Sequence, residues 1–529
     1  MIQTRWADTI VATLADAGVT TCVVSPGSRS TPLVAALAKS GRIATPVVID
    51  ERSAAFYALG LARATSLPVA LVCTSGSAAA HYLPAIVEAS EAGVPLIAIT
   101  ADRPPELQHC GASQTIDQIE LYGSFTRAAF DLGAPHDDLR ACRRAVIQAV
   151  TASRGPRPGP VHLNVPLRKP LEPVACDVPV AAPAMIAVPR LAADPAAVAA
   201  LVNRIADEPN GIVIAGACST RNADVLALCA RAGYPLLAEA GSQLRFTARA
   251  GVTTIDHFDF VLAAKLAPMP KLVIQLGAEP VAAAKLGNDV ERWVIADSWR
   301  DPDGGANVIL GSCELASQIP VRGDSTFTRA WREAEAKAAA AVENVLATDA
   351  GEASVIRAAI AAMPAGAQVQ IGNSLPIRVV DQVAVGGERI VLTQRGAAGI
   401  DGLIASATGA AQIAPTLLIV GDVSFAHDVG SLITARLAKH PLVILVIDNA
   451  GGRIFGGLPI AKSASPELMD KFFVAAPALD VAAIANAFGI RIAHDVASAF
   501  AEAGPTVIHA RVAPHGARDF RAKVLQELS

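Results

Sequence analysis

The chain has 529 residues, which at roughly 150 residues per domain gives about three to four domains and excludes a single small module. Hydrophobic residues make up 52% of the chain and charged residues 17%, a balance that excludes a disordered chain. The formal net charge of −4 carries no basic excess, so nucleic acid and anionic lipid are excluded as main partners.

Neither export nor membrane insertion is expected from the sequence. Residues 1–17 carry two aspartates and lack the apolar core of a signal peptide. The longest uncharged stretch, 402–421, contains Pro415 and several polar residues, so no membrane span is predicted. The eight cysteines are scattered without a CxxC pair, a pattern typical of neither a zinc site nor a disulfide framework. We therefore expect a cytoplasmic protein.

The first third of the chain alternates short apolar runs with helical patterns. A helix is predicted over 52–64, and the Pro-rich stretch 173–189 is typical of an interdomain linker. Because strands that alternate with helices form parallel sheets, this third predicts a parallel α/β domain. Its predicted strands are 22–24, 46–49, 69–73, 95–99 and 161–165.

The rest of the chain repeats this alternation in two further blocks. The predicted strands are 211–215, 271–276 and 292–296 in the second block, before a helical run over 328–347, and 368–371, 390–393, 416–420 and 442–447 in the third. We predict three doubly wound parallel-sheet α/β domains, at residues 1–180, 190–348 and 352–529. The first and third blocks share a strand, small-residue turn, helix and Pro-led strand, which predicts one topology for both.

Two oxygen-bearing side chains follow neighbouring strands of the third block. Asp422 comes after the strand 416–420 and Gly421, and Asn449 comes after the strand 442–447. In a right-handed βαβ unit both lie at the carboxyl edge of the sheet, where open α/β sheets bind ligands. With a backbone carbonyl from the glycine pair after Asn449, they would suit Mg²⁺ bound to phosphate. The alternative is that both are ordinary polar residues that cap helices.

Glu51 follows the apolar run 46–49 and opens the predicted helix. A carboxylate there is either a helix N-terminal charge, worth about 0.3–1 kcal/mol, or a partly buried functional acid. The residue pattern by itself favours the first interpretation.

Three arginines are predicted near carboxyl edges of strands. Arg29 lies in the turn Ser-Pro-Gly-Ser-Arg-Ser-Thr-Pro, Arg103 follows a predicted strand, and Arg395 begins a glycine-rich loop. A single arginine in such a place is usually a solvated surface charge. Three of them indicate a ligand with several carboxylates, since a guanidinium binds carboxylate through two parallel hydrogen bonds.

Together these segments resemble the thiamine-diphosphate enzymes, and among them the family of 2-succinyl-5-enolpyruvyl-6-hydroxy-3-cyclohexene-1-carboxylate synthases of menaquinone biosynthesis, the MenD family. The runs Ser-Pro-Gly-Ser-Arg-Ser-Thr-Pro and Arg-Gly-Ala-Ala-Gly-Ile-Asp-Gly narrow the resemblance to this family. The segments that carry it are 25–32, 50–52, 100–105, 111–114, 159–166, 395–402, 421–422 and 449–452.

The resemblance implies a transferase with the thiamine-diphosphate-binding fold, in which the first domain binds the pyrimidine ring and the third binds the diphosphate and Mg²⁺ or Mn²⁺. Glu51 would hydrogen-bond the pyrimidine ring. The implied metal ligands are Asp422, Asn449 and the Gly451 carbonyl. Further implied cofactor-binding residues are Ile400, Gly421, Ser424 and Phe455.

The implied reaction decarboxylates 2-oxoglutarate and adds the succinyl fragment to isochorismate. Both substrates are dicarboxylates, which accounts for the arginines in a chain without net positive charge. The resemblance assigns Ser28, Arg29, Arg103 and Gln114 to isochorismate, with Lys285 as a partial counterpart of a family Lys-Arg pair. It assigns Ser374, Arg378 and Arg395 to the succinyl portion. It also implies self-association, as a dimer or tetramer, with the active site at the subunit interface.

The chain departs from the family pattern at three places. Asp448 replaces the first residue of the usual Asn-Asn pair, Leu286 follows Lys285 where the family carries Arg, and Ser113 stands where relatives often carry Asn.

Two alternative functions stay open at this point. The first is another thiamine-diphosphate 2-oxo-acid decarboxylase or carboligase, whose smaller and less charged substrates would leave the arginines without a role. The second is a non-catalytic binding protein of the same fold, against which the joint presence of Glu51, Asp422 and Asn449 argues.

Overall fold

A computed structural model of the protein describes residues 2–176, 187–217, 223–281, 286, 290–312, 314–384 and 386–529. The chain forms two compact units. The N-terminal unit comprises residues 1–190, 396–413 and 428–440, and the C-terminal unit comprises residues 191–395, 414–427 and 441–529. Among the described residues, no helix is both long and apolar enough to cross a bilayer.

The helices and strands alternate along the chain. The α-helices are α1 (Ile2–Asp16), α2 (Thr31–Ser40), α3 (Glu51–Thr65), α4 (Ser77–Ala80), α5 (Leu83–Ala92), α6 (Leu139–Arg154), α7 (Pro195–Asp207), α8 (Ala223–Ala232), α9 (Phe258–Ala263), α10 (Thr326–Leu346), α11 (Glu352–Ala361), α12 (Leu375–Val383), α13 (Leu403–Ala410), α14 (Asp422–His427), α15 (Leu432–Ala435), α16 (Pro466–Met469), α17 (Val481–Ala487), α18 (Val496–Phe500) and α19 (Gly516–Glu527). The strands are β1 (Cys22–Val24), β2 (Val69–Cys73), β3 (Leu96–Asp102), β4 (Ala129–Asp131), β5 (Val161–Pro166), β6 (Gly211–Ala215), β7 (Leu236–Ala238), β8 (Leu272–Leu276), β9 (Glu291–Ala296), β10 (Asn307–Leu310), β11 (Gln368–Ile371), β12 (Ile390–Thr393), β13 (Thr416–Gly421), β14 (Leu442–Asp448), β15 (Arg491–Ala493) and β16 (Pro505–Arg511).

The strands form three parallel sheets. Their orders are β1-β2-β3-β5-β4, β10-β9-β8-β6-β7 and β12-β11-β13-β14-β16-β15. Without its edge strand β12, the third sheet runs β11-β13-β14-β16-β15, which is the order of the first sheet strand for strand. The predicted three-sheet α/β fold and the shared topology of the first and third sheets are therefore confirmed.

The first sheet is covered on both faces, as parallel sheets require. Every residue of β2 and β3 is buried. Ala70 and Val72 pack into one apolar cluster, whereas Val69, Leu71 and Cys73 pack into another. Because side chains alternate along a strand, the continuous apolar run of β2 supplies both cores at once.

Within the N-terminal unit, α3 and α13 cross at very short range. A Cβ at Gly60 would lie 1.9 Å from the carbonyl oxygen of Ser406, and a Cβ at Gly409 would lie 2.0 Å from that of Tyr57. Only glycine permits this approach. The buried Asp428 carboxylate then accepts hydrogen bonds from the first backbone N–H groups of α13, which fixes the start of that helix.

The structure differs from the predicted strand over residues 46–49. That segment forms one isolated bridge pair, Val47 with Val24, and no continuous ladder. Pro46 has no N–H to donate, which interrupts the pairing pattern. The predicted linker over 173–189 lies mostly outside the described residues.

Arg245 is the largest buried cationic side chain of the C-terminal unit, with no exposed surface. Its guanidinium donates to the carbonyl oxygens of Ala238, Asp256, Asp381 and Ala384 at 2.7–3.1 Å. It therefore joins the segment after β7 to the C-terminal end of α12.

We expect Arg245→Met to lower the free energy of unfolding of the C-terminal unit by about 3–5 kcal/mol, because four buried carbonyls lose their donors. Urea unfolding followed by tryptophan fluorescence, to which the buried Trp331 of this unit contributes, measures this loss. Arg332→Met is the control: the Arg332 side chain is 53% exposed and pairs with Asp324, so its loss should cost less than about 1 kcal/mol. Equal urea midpoints for the two variants would refute the role of Arg245.

Candidate active site

The loops after β13 and β14 bring the predicted cofactor residues of the C-terminal unit together. The parallel register pairs Gly421 with Ile447, so Asp422 and Asn449 leave neighbouring strands at one edge of the sheet. Both side chains are buried, with 4% and 6% of their surfaces exposed. The strand-end geometry predicted from the sequence is present.

Asp422 and Asn449 supply oxygen atoms at this edge of the sheet. Asp422 Oδ2 accepts from the N–H of Gly451 at 2.7 Å, and Oδ1 accepts from that of Val423 at 2.9 Å. Within the described part of the chain, the buried Asn449 Oδ1 has no hydrogen-bond partner. A buried acceptor without a donor is costly unless a cation or another ligand binds it. The residues present therefore suit a hard divalent cation.

The glycine of this loop is required by the backbone. Gly451 has φ +110°, a conformation that L side chains rarely adopt, and a Cβ there would lie 2.4 Å from the carbonyl oxygen of Val474. The absence of a side chain therefore lets the loop pack closely against the segment that contains Val474.

Two further acids surround the site. Burial raises the pKa of Asp422, and the nearby Asp448 carboxylate raises it further. Asp448 is the residue that departs from the Asn-Asn pattern. Its carboxylate hydrogen-bonds His509 Nε2 at 2.9 Å and accepts from the N–H of Ala450 at 3.2 Å. Burial also raises the pKa of Glu352 to about 7. A bound cation would offset this excess of acidic groups.

The remaining predicted cofactor residues of this unit lie on adjoining segments. Ser424 is buried on α14, two residues after Asp422. Phe455 is half-buried in the short 3₁₀ turn Arg453–Gly457, where its ring packs edge-to-face against Phe473 with centroids 5.3 Å apart.

A pair of guanidinium groups lies near α12 in the same unit. Arg378 Nη1 donates to the carbonyl oxygen of Ser374 at 2.6 Å, and Arg395 Nη1 donates to Asn373 Oδ1 at 3.1 Å. Burial lowers the pKa of Arg378, and the charge of Arg395 lowers it further. Since two close cations repel each other, a bound carboxylate would relieve the pair. Lys285 lies outside the described residues, and Leu286 is buried in the core of this unit.

A second pair of guanidinium groups lies in the N-terminal unit. Arg29 is 6% exposed; its Nη1 donates to the carbonyl oxygen of Leu167 at 2.7 Å, and its Nε has no partner among the described residues. Burial lowers the pKa of Arg29, Arg103 lowers it further, and Asp102 opposes the shift. The pattern again favours a bound anion. The predicted Ser28 is exposed in the turn before α2.

Arg103 and Gln114 meet at the loop after β2. Arg103 donates to Ser75 Oγ, and Gln114 Nε2 donates to the carbonyl oxygen of Ser75 at 3.0 Å. Gln118, which sequence reasoning missed, fixes this loop: its Oε1 accepts from the N–H of Gly76 at 2.9 Å. No local pattern around Gln118 signals this role.

Glu51 is the first residue of α3 and is half-buried. Asp50 caps the helix by accepting from the N–H of Arg52 at 2.9 Å, so the side-chain cap is Asp50 and not Glu51. The charge of Glu51 contributes to the raised pKa of the buried Cys73 thiol, which places the two groups close together.

Glu88 anchors the glycine-rich loop that contains Ile400 and was also missed by sequence reasoning. Its buried carboxylate accepts from the N–H groups of Gly396 at 3.0 Å and Ala397 at 2.7 Å, and it pairs with Arg63 at 3.2 Å. The loop that follows Arg395 is therefore fixed on α5.

Comparison with known proteins identifies the family. The thiamine pyrophosphate enzyme N-terminal TPP binding domain matches residues 4–121, and the C-terminal TPP binding domain matches residues 381–514. The chain is 39% identical to the 2-succinyl-5-enolpyruvyl-6-hydroxy-3-cyclohexene-1-carboxylate synthase of Sorangium cellulosum, over 97% of this chain and 93% of that protein. The chain belongs to this synthase family.

Other members of the synthase family are similar over most of their length. The Synechococcus protein is 38% identical over 92% of this chain and 89% of its own. The Geobacillus kaustophilus protein is 39% identical over 86% and 85%. A solved benzoylformate decarboxylase from Polynucleobacter necessarius matches with a TM-score of 0.75 at 18% identity, over 96% of this chain and 98% of that one, which shows a common fold.

Family membership confirms the resemblance seen in the sequence, and the two matched domains confirm the predicted thiamine diphosphate cofactor. Glu51, Arg29 and Arg103 lie in the first matched domain, and Asp422 and Asn449 lie in the second. The roles of the individual residues stay predictions.

Proposed function

We propose that the chain is a transferase of menaquinone biosynthesis that decarboxylates 2-oxoglutarate and adds the succinyl fragment to isochorismate, giving 2-succinyl-5-enolpyruvyl-6-hydroxy-3-cyclohexene-1-carboxylate. The observation that carries this proposal is the presence of two partly buried guanidinium pairs in a chain of net charge −4. Dicarboxylate substrates give both pairs a ligand.

The pair in the N-terminal unit is assigned to isochorismate. Arg29 would bind one carboxylate and Arg103 the other, with Ser28 and Gln114 donating further hydrogen bonds from the adjoining turns. The pair in the C-terminal unit, Arg378 and Arg395 with Ser374, is assigned to the distal carboxylate of 2-oxoglutarate. Lys285 is a further candidate for isochorismate.

Asp422, Asn449 and the Gly451 carbonyl would hold Mg²⁺ or Mn²⁺ on the cofactor diphosphate, beside Gly421 and Ser424. Ile400 and Phe455 would line the cofactor pocket. When bound, thiamine diphosphate supplies an electron sink for decarboxylation. Glu51 would hydrogen-bond the pyrimidine ring and move a proton there. The apolar pocket would exclude water from the reacting atoms.

We also propose that the chain self-associates, as a dimer or a tetramer, and that each complete site combines the N-terminal group of residues from one subunit with the C-terminal group from another.

The scattered cysteines support a reducing, cytoplasmic setting.

The test is consumption of isochorismate with 2-oxoglutarate, with and without thiamine diphosphate and Mg²⁺, followed by isochorismate absorbance and CO₂ release. We expect cofactor-dependent loss of isochorismate coupled to CO₂. Decarboxylation of another 2-oxo acid without isochorismate loss would instead indicate a decarboxylase or carboligase of a different branch. If the protein catalysed neither reaction and did not bind thiamine diphosphate, the result would indicate a non-catalytic protein.

Arg395→Ala should raise the KM for 2-oxoglutarate by about 10- to 150-fold. This is the loss of affinity that corresponds to the free energy of one hydrogen bond to a charged group. The matched control is Arg389→Ala, which removes a half-buried arginine just before β12 and should change this KM less than about 3-fold. An unchanged KM in Arg395→Ala would remove Arg395 from the substrate site and favour a less charged substrate.

A further inference from the structure

Glu352 is a buried acid next to the proposed metal site, and neither sequence reasoning nor the family resemblance includes it. It is the first residue of α11 and is 1% exposed. Its Oε2 accepts a hydrogen bond from Asn449 Nδ2 at 3.1 Å, across 97 residues of sequence. The contact joins α11 to the loop after β14.

This contact decides which end of the Asn449 amide faces the ligand. A side-chain amide has a donor end and an acceptor end, and only the oxygen binds Mg²⁺. If the amide were turned by half a rotation, Asn449 Oδ1 and Oε2 of the ionised Glu352 carboxylate would be two acceptors in contact. With the amide as it lies, the buried Oδ1 has no hydrogen-bond partner in the described part of the chain and is free to bind a cation.

The Asp349 side chain holds the backbone around Glu352 in place. Asp349 Oδ2 accepts from the N–H groups of Gly351 and Ser354, both at 3.1 Å, which fixes the chain on either side of Glu352. The Glu352 carboxylate therefore reaches Asn449 from a helix start whose backbone is hydrogen-bonded to Asp349.

We propose that Glu352 is a positioning residue for the metal site, which orients Asn449 so that its oxygen faces the cation. The inference rests on the proposed function, because it assumes a divalent cation at Asp422 and Asn449. It assigns to Glu352 no contact with substrate or cofactor.

The test is the Kd of Mn²⁺ for the full-length protein at saturating thiamine diphosphate, measured by electron paramagnetic resonance. We expect Glu352→Met to weaken Mn²⁺ binding about 10- to 100-fold, because the acceptor is lost. Glu352→Gln should stay within about 3-fold of wild type, since its amide oxygen can still accept from Asn449. If Glu352→Met does not fold, Glu352→Asp, whose carboxylate is withdrawn by one methylene, replaces it and should also weaken binding.

Glu208→Met is the matched control, because Glu208 is a largely buried acid of the same unit that accepts from the N–H of Asn210. It should lower thermal stability and leave the Kd of Mn²⁺ unchanged. Circular dichroism establishes that each variant is folded at the temperature of the titration. Wild-type affinity in the folded Met or Asp variant would overturn the positioning role, whereas failure of the wild-type protein to bind Mn²⁺ would overturn the proposed metal site itself.

Discussion

Glu51→Gln should lower the rate of isochorismate consumption by about 10²- to 10⁴-fold, the usual contribution of a positioned acid or base. Glu51 is half-buried at the start of α3, and the cap of that helix is provided by Asp50. A glutamine keeps the size of the side chain and loses its capacity to take up and return a proton. Steady-state rates at saturating thiamine diphosphate, Mg²⁺ and both substrates measure the effect.

Asp50→Asn is the control for this prediction, because asparagine caps a helix about as well as aspartate. It should retain activity within about 3-fold. If Glu51 is only a helix N-terminal charge, Glu51→Gln would cost about 0.3–1 kcal/mol of stability and leave the rate unchanged. The thermal midpoint and the rate, taken together, separate the two interpretations.

The edge of the third sheet could be predicted because its geometry is local. β13 and β14 are continuous apolar runs, and parallel strands end at a common edge, so the positions of Asp422 and Asn449 followed from counting residues. The same rule predicted Arg103 after β3. Family resemblance then supplied the roles that residue type and spacing could not.

The residues that hold the site in place could not be predicted, because their partners are distant in sequence. Glu352 lies 97 residues from Asn449, Glu88 lies 308 residues from Gly396, and Gln118 lies 42 residues from Gly76. A buried acid or amide has no local sequence pattern that separates it from a solvated one. A short edge strand was missed for a similar reason: two of the three residues of β4 are exposed, and the strand lacks an apolar run.

Arg29→Met should lower kcat/KM for isochorismate by about 10²- to 10³-fold and leave the rate of CO₂ release from 2-oxoglutarate alone nearly unchanged. The physical reason is that removing one partner of a buried, hydrogen-bonded charge pair costs about 2–5 kcal/mol of binding free energy. Arg29 lies in the N-terminal unit, whereas the residues assigned to 2-oxoglutarate lie in the C-terminal unit. CO₂ release without isochorismate and isochorismate loss with both substrates measure the two steps separately.

Arg29→Lys and Arg127→Met complete this experiment. Lysine keeps the charge and loses the planar fork, so it should recover part of the lost kcat/KM. Arg127 donates to Ser90 Oγ at 2.9 Å and to the carbonyl of Pro158 at 3.1 Å in the same unit, so its loss should lower stability without separating the two steps. If Arg29→Met, once shown to be folded, slowed both steps equally, Arg29 would serve the site as a whole. Only a selective loss of the isochorismate step fits a guanidinium that binds the second substrate.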